Sequence, residues 1–185
     1  MEEGLLLRSL NKLSEALQKN NGGELKAIGR EMGEHALVDG ETAFVEIGVV
    51  AYSANKILDK KHLSSSSDWQ HVRERASTRV QASLAALRNG RREEMFSSIS
   101  SAVSELDHFS LSEGRFQTSL ALKARVKIAT DIYAHGASLG KACELTGAPK
   151  QEVLPYLGAT KLSDKFVSLP LADRFSFAKT LFGEK

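Results

Sequence analysis

Few residues in this 185-residue chain stand at the spacings that chemistry demands. Arg30 and His35 are one group, with Glu31 and Glu34 between them. A histidine can act as a general base on a hydroxyl within hydrogen-bond reach, and a guanidinium can hold a phosphate. Glu31, Glu34 and His35 are also metal-ligand types, but the Glu-x-x-His step that sets two ligands on one helix face is missing. Met32 stands three before His35, and Glu34 stands three after Glu31. Solvated helix charges account for them, and no metal site is expected. Gly136-Ala-Ser-Leu-Gly-Lys141 fails as a phosphate loop. It has one residue too few between its glycines, alanine after the lysine, and no strand before it. No CxxC or HExxH occurs. The single cysteine, Cys143, is expected to be a small buried hydrophobe rather than a nucleophile. No cofactor is expected.

The most informative stretch is residues 138–157, SLGKACELTGAPKQEVLPYL. It reads as two short helices joined by a tight turn. Ser138 can cap the first, and Leu139, Ala142, Cys143 and Thr146 follow at helical spacing. Gly147 suits the left-handed position that ends the helix. Pro149 suits the first turn of a second helix, from which Val153, Leu154, Tyr156 and Leu157 would face back onto the first. Pro155 removes a backbone bond there, so this helix is expected to be about one and a half turns long, or kinked.

These residues resemble the helix-turn-helix of prokaryotic DNA-binding regulators. Cys143 takes the place of the small residue, Gly147 that of the turn glycine, and Val153 and Tyr156 those of the apolar positions. SLGKACELTG is similar to the start of that motif in small archaeal and bacterial regulators, antitoxin-like ones included. The resemblance covers about twenty residues and leaves the first hundred or so unrecognised. It implies that Ser138 and Lys141 approach the DNA backbone and that Lys150 and Gln151 reach base edges. Lys123, Lys127 and Lys161 would add phosphate contacts. It also implies a homodimer, because such motifs read paired half-sites. RNA is the alternative nucleic acid. Separately, the Arg30-to-His35 spacing resembles the loose Arg-x4-His pattern of HEPN-type ribonucleases, although that family carries it late in its bundle and this chain carries it early.

Net charge is +2, unevenly placed. Residues 1–114 hold 14 Lys and Arg against 17 Asp and Glu, a net −3, whereas residues 115–185 hold 11 against 6, a net +5. The basic surplus sits with the motif, which suits a partner rich in phosphates. One cysteine allows no internal disulfide, and no signal-peptide pattern opens the chain, so a cytoplasmic location is expected. The most apolar run, residues 43–54, is too short for a bilayer, which needs ~20 residues.

The elements that must carry these residues all have helical period. Residues 3–20 place Leu6, Leu10, Leu13 and Leu17 on one face. Residues 24–38 do the same with Leu25, Ile28, Met32 and Ala36. Residues 41–60 are apolar on most sides, from Phe44 to Leu58, which predicts a buried central helix with Gly48 marking a close neighbour. A polar loop through Ser64–Ser67 precedes a helix capped by Asp68 or Ser67, with Trp69, Val72, Ala76, Val80, Leu84 and Leu87 inward. Residues 91–108 turn Met95, Phe96, Ile99, Val103 and Leu106 inward. Residues 112–135 read as one longer helix with a stripe of Phe116, Leu120, Ala124, Ile128 and Ile132. A last amphipathic helix, residues 171–182, closes the chain.

The expected fold is all-α. Residues 1–111 form a helical bundle, and residues 112–185 form a linking helix, a small helix-turn-helix domain and a C-terminal helix. The expected function is nucleic-acid binding as a DNA-binding transcriptional regulator, not an enzyme. The bundle would supply dimerisation, ligand sensing or a protein partner's surface, and no membrane is involved. The competing readings are a structural or protein-interaction helical protein and a HEPN-like ribonuclease.

Overall fold

The computed structural model describes residues 2–112 and 118–157. The expectations for residues 113–117 and 158–185 lie outside the described residues; they include Phe116, Lys161 and the helix at 171–182. Among the described residues the chain is all-α, without strands. The helices are α1 (Glu2–Gln18), α2 (Gly22–Asp39), α3 (Thr42–Leu58), α4 (Lys61–Ser64), α5 (Ser67–Arg88), α6 (Arg92–Ser112), α7 (Leu120–Ala134), α8 (Leu139–Thr146) and α9 (Lys150–Leu157). None is long and apolar enough to cross a membrane.

The architecture follows from α3. Its Ala43, Phe44, Val45, Ile47, Val49, Val50, Ala51, Ala54 and Ile57 are all buried, so every side of the helix needs a neighbour. α1, α2, α4, α6, α7 and α8 supply them. α2–α3 and α5–α6 pack as consecutive pairs, and α1 lies on α5. The stripes of α1 and α5 are buried at every expected position. Gly48 marks a close approach of helices. A Cβ built there would sit 3.0 Å from Ile128 Cδ1 and 3.1 Å from Met32 Cβ, so α2 and α7 press on α3 where it has no side chain.

Four sequence expectations are corrected. The helix at residues 112–135 does not begin at Ser112, because α6 continues to Ser112 and α7 starts only at Leu120. Ser119 caps α7, accepting from Leu122 N at 3.0 Å. Its hydroxyl donates to Asp107, which also accepts from Ala121 N at 3.1 Å, so two first-turn amides gain partners. The cap of α5 is Ser66, not Asp68 or Ser67: its Oγ accepts from Trp69 N at 3.1 Å. The polar loop contains the single turn α4, pinned by buried Leu63. Phe96 is 37% exposed instead of inward, at the edge of a stripe made by Met95, Ile99, Ala102, Val103 and Leu106.

One charge lies inside the core. Glu46 of α3 has a side chain only 6% exposed, and Arg125 Nη2 of α7 donates to its Oε1 at 2.6 Å. Arg125 Nη1 also donates to the Thr146 carbonyl at the end of α8, at 2.9 Å. One guanidinium thereby joins α3, α7 and α8, and the same apolar core runs from Leu6 through Val153.

Removing one partner of a buried ion pair leaves an uncompensated charge, which costs ~3–5 kcal/mol. Arg125→Met should lower unfolding free energy in urea by that amount. Glu46→Leu combined with Arg125→Met should recover part of the loss. A double variant as unstable as the sum of its single variants would contradict this account.

Candidate nucleic-acid interface

The hairpin α8–α9 is set by local chemistry. Ser138 Oγ accepts from Lys141 N at 3.1 Å and caps α8. Gly147 ends it at φ 66°, its N–H donating to the Cys143 carbonyl at 2.8 Å. A residue with a Cβ is strained in that left-handed geometry, so glycine makes the turn. Thr146 Oγ1 donates to the Ala142 carbonyl at 2.7 Å and accepts from Ala148 N at 3.3 Å, which braces the turn from inside. The Pro149 carbonyl accepts from Glu152 N and Val153 N, so α9 starts at Lys150, one residue beyond the proline.

Burial in the hairpin differs from expectation. Ala142, Leu145, Thr146 and Ala148 form the inner side of α8 and its turn, while Cys143 is half-buried, not buried. In α9 Val153 is buried and Leu157 packs, half-buried, against the core. Leu154 and Tyr156 do not face back onto α8; they are 50% and 54% exposed. A two-turn helix has one inner position per turn once it lies across another helix, and α9 rests on α7 as well as α8. Pro155 does not stop it: α9 passes through the proline for eight residues, about 12 Å.

The cations divide into engaged and unengaged groups. Lys141 Nζ lies 3.4 Å from Glu144, and Lys127 Nζ lies 2.6 Å from Asp131. Lys123 and Lys150 are exposed and make no ion pair among the described residues, and Gln151 is exposed on the first turn of α9. Ser138 and Lys141 lie at the start of α8, and Lys150 and Gln151 at the start of α9. Lys123 and Lys127 meet Glu152 and Tyr156 of α9 in one cleft of ≈ 330 Å³, together with Tyr52, Thr118, Leu122, Val126 and Thr130. Lys161 lies outside the described residues.

Tyr52 was hidden by the apolar run around it. Its only local signal is Lys56 four residues on, whose Nζ sits 5.7 Å from the ring centroid. Burial raises the Tyr52 hydroxyl above its usual pKa, opposed by the Lys127 charge and reinforced by Tyr156. Tyr52 and Lys127 also line a second cleft with Lys26, Arg30, Glu34, Asp131 and His135.

The Arg30–His35 pattern is split by the fold. Arg30 opens onto that second cleft beside His135, whereas the His35 ring packs 5.4 Å from the ring of Phe44. Residues five apart on a helix lie ~140° apart around it. Glu31 faces Lys12 at 3.6 Å and Glu34 faces His135 at 3.4 Å. Among the described residues no three His, Cys, Asp or Glu side chains cluster closely enough to hold a metal ion.

None of the protein-family models, curated proteins or solved structures compared with the chain matches it.

Proposed function

We propose that this protein binds nucleic acid through a helix-turn-helix formed by α8 and α9, as a dimeric DNA-binding transcriptional regulator whose N-terminal bundle dimerises or senses a ligand. The observation that carries this reading is the exposure of α9. A hairpin used only for packing would bury its second helix, but this one offers Lys150, Gln151 and Leu154 to solvent and turns Val153, with half-buried Leu157, toward the core. Its flank carries Lys123 and Lys127. The net +5 of residues 115–185 adds to the field that would draw in phosphates.

The intrahelical partners of Lys141 and Lys127 do not argue against it. Exposed pairs are worth ~0–1 kcal/mol, so a phosphate can displace Glu144 or Asp131 at little cost. Protein interaction is the second reading, favoured by the exposed apolar side chains of Leu154 and Tyr156. The HEPN-like reading loses support because Arg30 and His35 stand in different surroundings.

Phosphate contacts supply affinity and base contacts supply discrimination. In an electrophoretic shift assay with genomic DNA fragments and RNA in separate lanes, Lys141→Ala and Lys161→Ala should weaken binding to every sequence. Each should reduce the salt slope by ~0.9. Gln151→Ala should instead lose preference for one site by ~1–3 kcal/mol. If none of the three changes binding to any nucleic acid, the hairpin is a packing or protein-docking element.

Wild-type protein should show no metal-independent RNA cleavage. A cleavage activity that co-purifies with the chain and vanishes in a folded His35→Ala variant would establish the ribonuclease reading instead.

A further inference from the structure

We propose that the cleft between α3, α7 and α9 binds a small aromatic carboxylate, and that the bound molecule clamps α9 onto the bundle. The cleft measures ≈ 330 Å³, at the lower end of the ~300–1,000 Å³ usual for small-ligand sites. Its chemistry is that of an amphipathic ligand site. Tyr52 of α3 and Tyr156 of α9 supply two aromatic walls from different helices, and Leu122 and Val126 of α7 supply apolar surface between them. Flat rings stack or pack edge-on against such walls.

The polar groups select an anion. Lys123 lines the cleft without an ion pair among the described residues, and Lys127, itself exposed, pairs with half-buried Asp131. Among the described residues that line it, Glu152 is the one acid, against two lysines. Thr130 Oγ1 already donates to the Val126 carbonyl at 2.8 Å, which leaves it an acceptor. The Tyr52 hydroxyl, like any phenol, keeps its proton at neutral pH, and its burial acts in the same direction, so it can donate to a carboxylate. A neutral ring alone would leave Lys123 without a counter-charge, and a bare inorganic anion would leave the two tyrosines unused.

The clamp follows from how lightly α9 is seated. Only Val153 anchors it fully, and Tyr156 stays 54% exposed despite lining the cleft. A ring between Tyr52 and Tyr156 would bury that face and join α9 to α3. Any effect on DNA rests on the regulator reading given above, whereas occupancy of the cleft and ordering of α9 do not.

The probe is 2-naphthoate titrated into the full chain by calorimetry, with hydrogen exchange followed at the α9 amides. Saturable binding at one site per chain is expected, with Kd on the order of 1 mM for so small a molecule. Exchange in α9 should slow. Uncharged 2-naphthamide, and naphthoate with Lys123→Ala, should each bind about tenfold more weakly. Tyr156→Ala, a change at an exposed position, should keep the fold and lose the slowing in α9. Arg88→Ala, on α5 and outside the cleft, should bind as the parent does. Absence of saturable binding up to ~10 mM, ten times that expected Kd, overturns the proposal. So does equal affinity for naphthoate and naphthamide, or for the parent and Lys123→Ala. All of these are read without nucleic acid, so a chain that binds naphthoate and no DNA keeps this site and loses only the regulator reading.

Discussion

A helix buried on every side can hold a charge only if another element brings the opposite charge to it. α3 is such a helix, and Glu46 is its buried carboxylate. Arg125 answers it from α7 and spends its remaining reach on the Thr146 carbonyl, where α8 ends. Among the described residues Glu46 Oε2 has no hydrogen-bond partner, so Glu46 is met by Arg125 through one short contact at Oε1. α7 and the helices that pack on it inherit this arrangement. α7 is fixed in rotation by Arg125 on one side and by Ile128 against Gly48 on another. With α7 fixed, the placement of Lys123 and Lys127 is fixed too, and so is the floor on which α9 rests.

How much of this the sequence discloses depends on the range of the interaction. The stripes of α1 and α5 are legible because a period of 3.6 records burial in the local order of residues. Ser138 and Gly147 are legible for the same reason, since a cap and a left-handed turn act within four residues. The all-round burial of α3 is legible from its apolar run. Glu46 is not, because one carboxylate in such a run has no local partner to give it away. The break before α7 is masked by its own apolar stripe, which continues across Ser119, and its capping partner Asp107 lies twelve residues upstream. The cleft is the least legible feature. It needs Tyr52, Lys123 and Tyr156 from three helices, and no spacing in the sequence links them.

The surface around α9 shows why cation counts alone are poor guides. Lys123, Lys127, Lys141 and Lys150 look equivalent in sequence. In the fold, Lys127 and Lys141 each pair with a carboxylate on their own helix, while Lys123 and Lys150 pair with none among the described residues. The difference lies in helical register: Asp131 is four residues after Lys127 and Glu144 three after Lys141, the two spacings that bring side chains together. Exposed aromatic and aliphatic groups on α9 add a second kind of adhesive surface beside the charged one.

Glu46 and Arg125 are 79 residues apart, and Thr146 follows Arg125 by 21. As the chain emerges during synthesis, the helix pairs α2–α3 and α5–α6 can associate while their contacts are still near neighbours in sequence. The side of α3 that carries Glu46 cannot close then, because a lone carboxylate stays in water until a cation reaches it. Closure waits for α7, and the seating of α8 waits for the same guanidinium. While the chain grows from Glu46 to Arg125, a span of 79 residues, the side of its central helix that carries Glu46 therefore stays hydrated. Closing that side takes a contact across 79 residues, the non-local kind that meets loop-closure entropy before it is rewarded, in a chain whose most extensive helix pairings, α2–α3 and α5–α6, join consecutive helices.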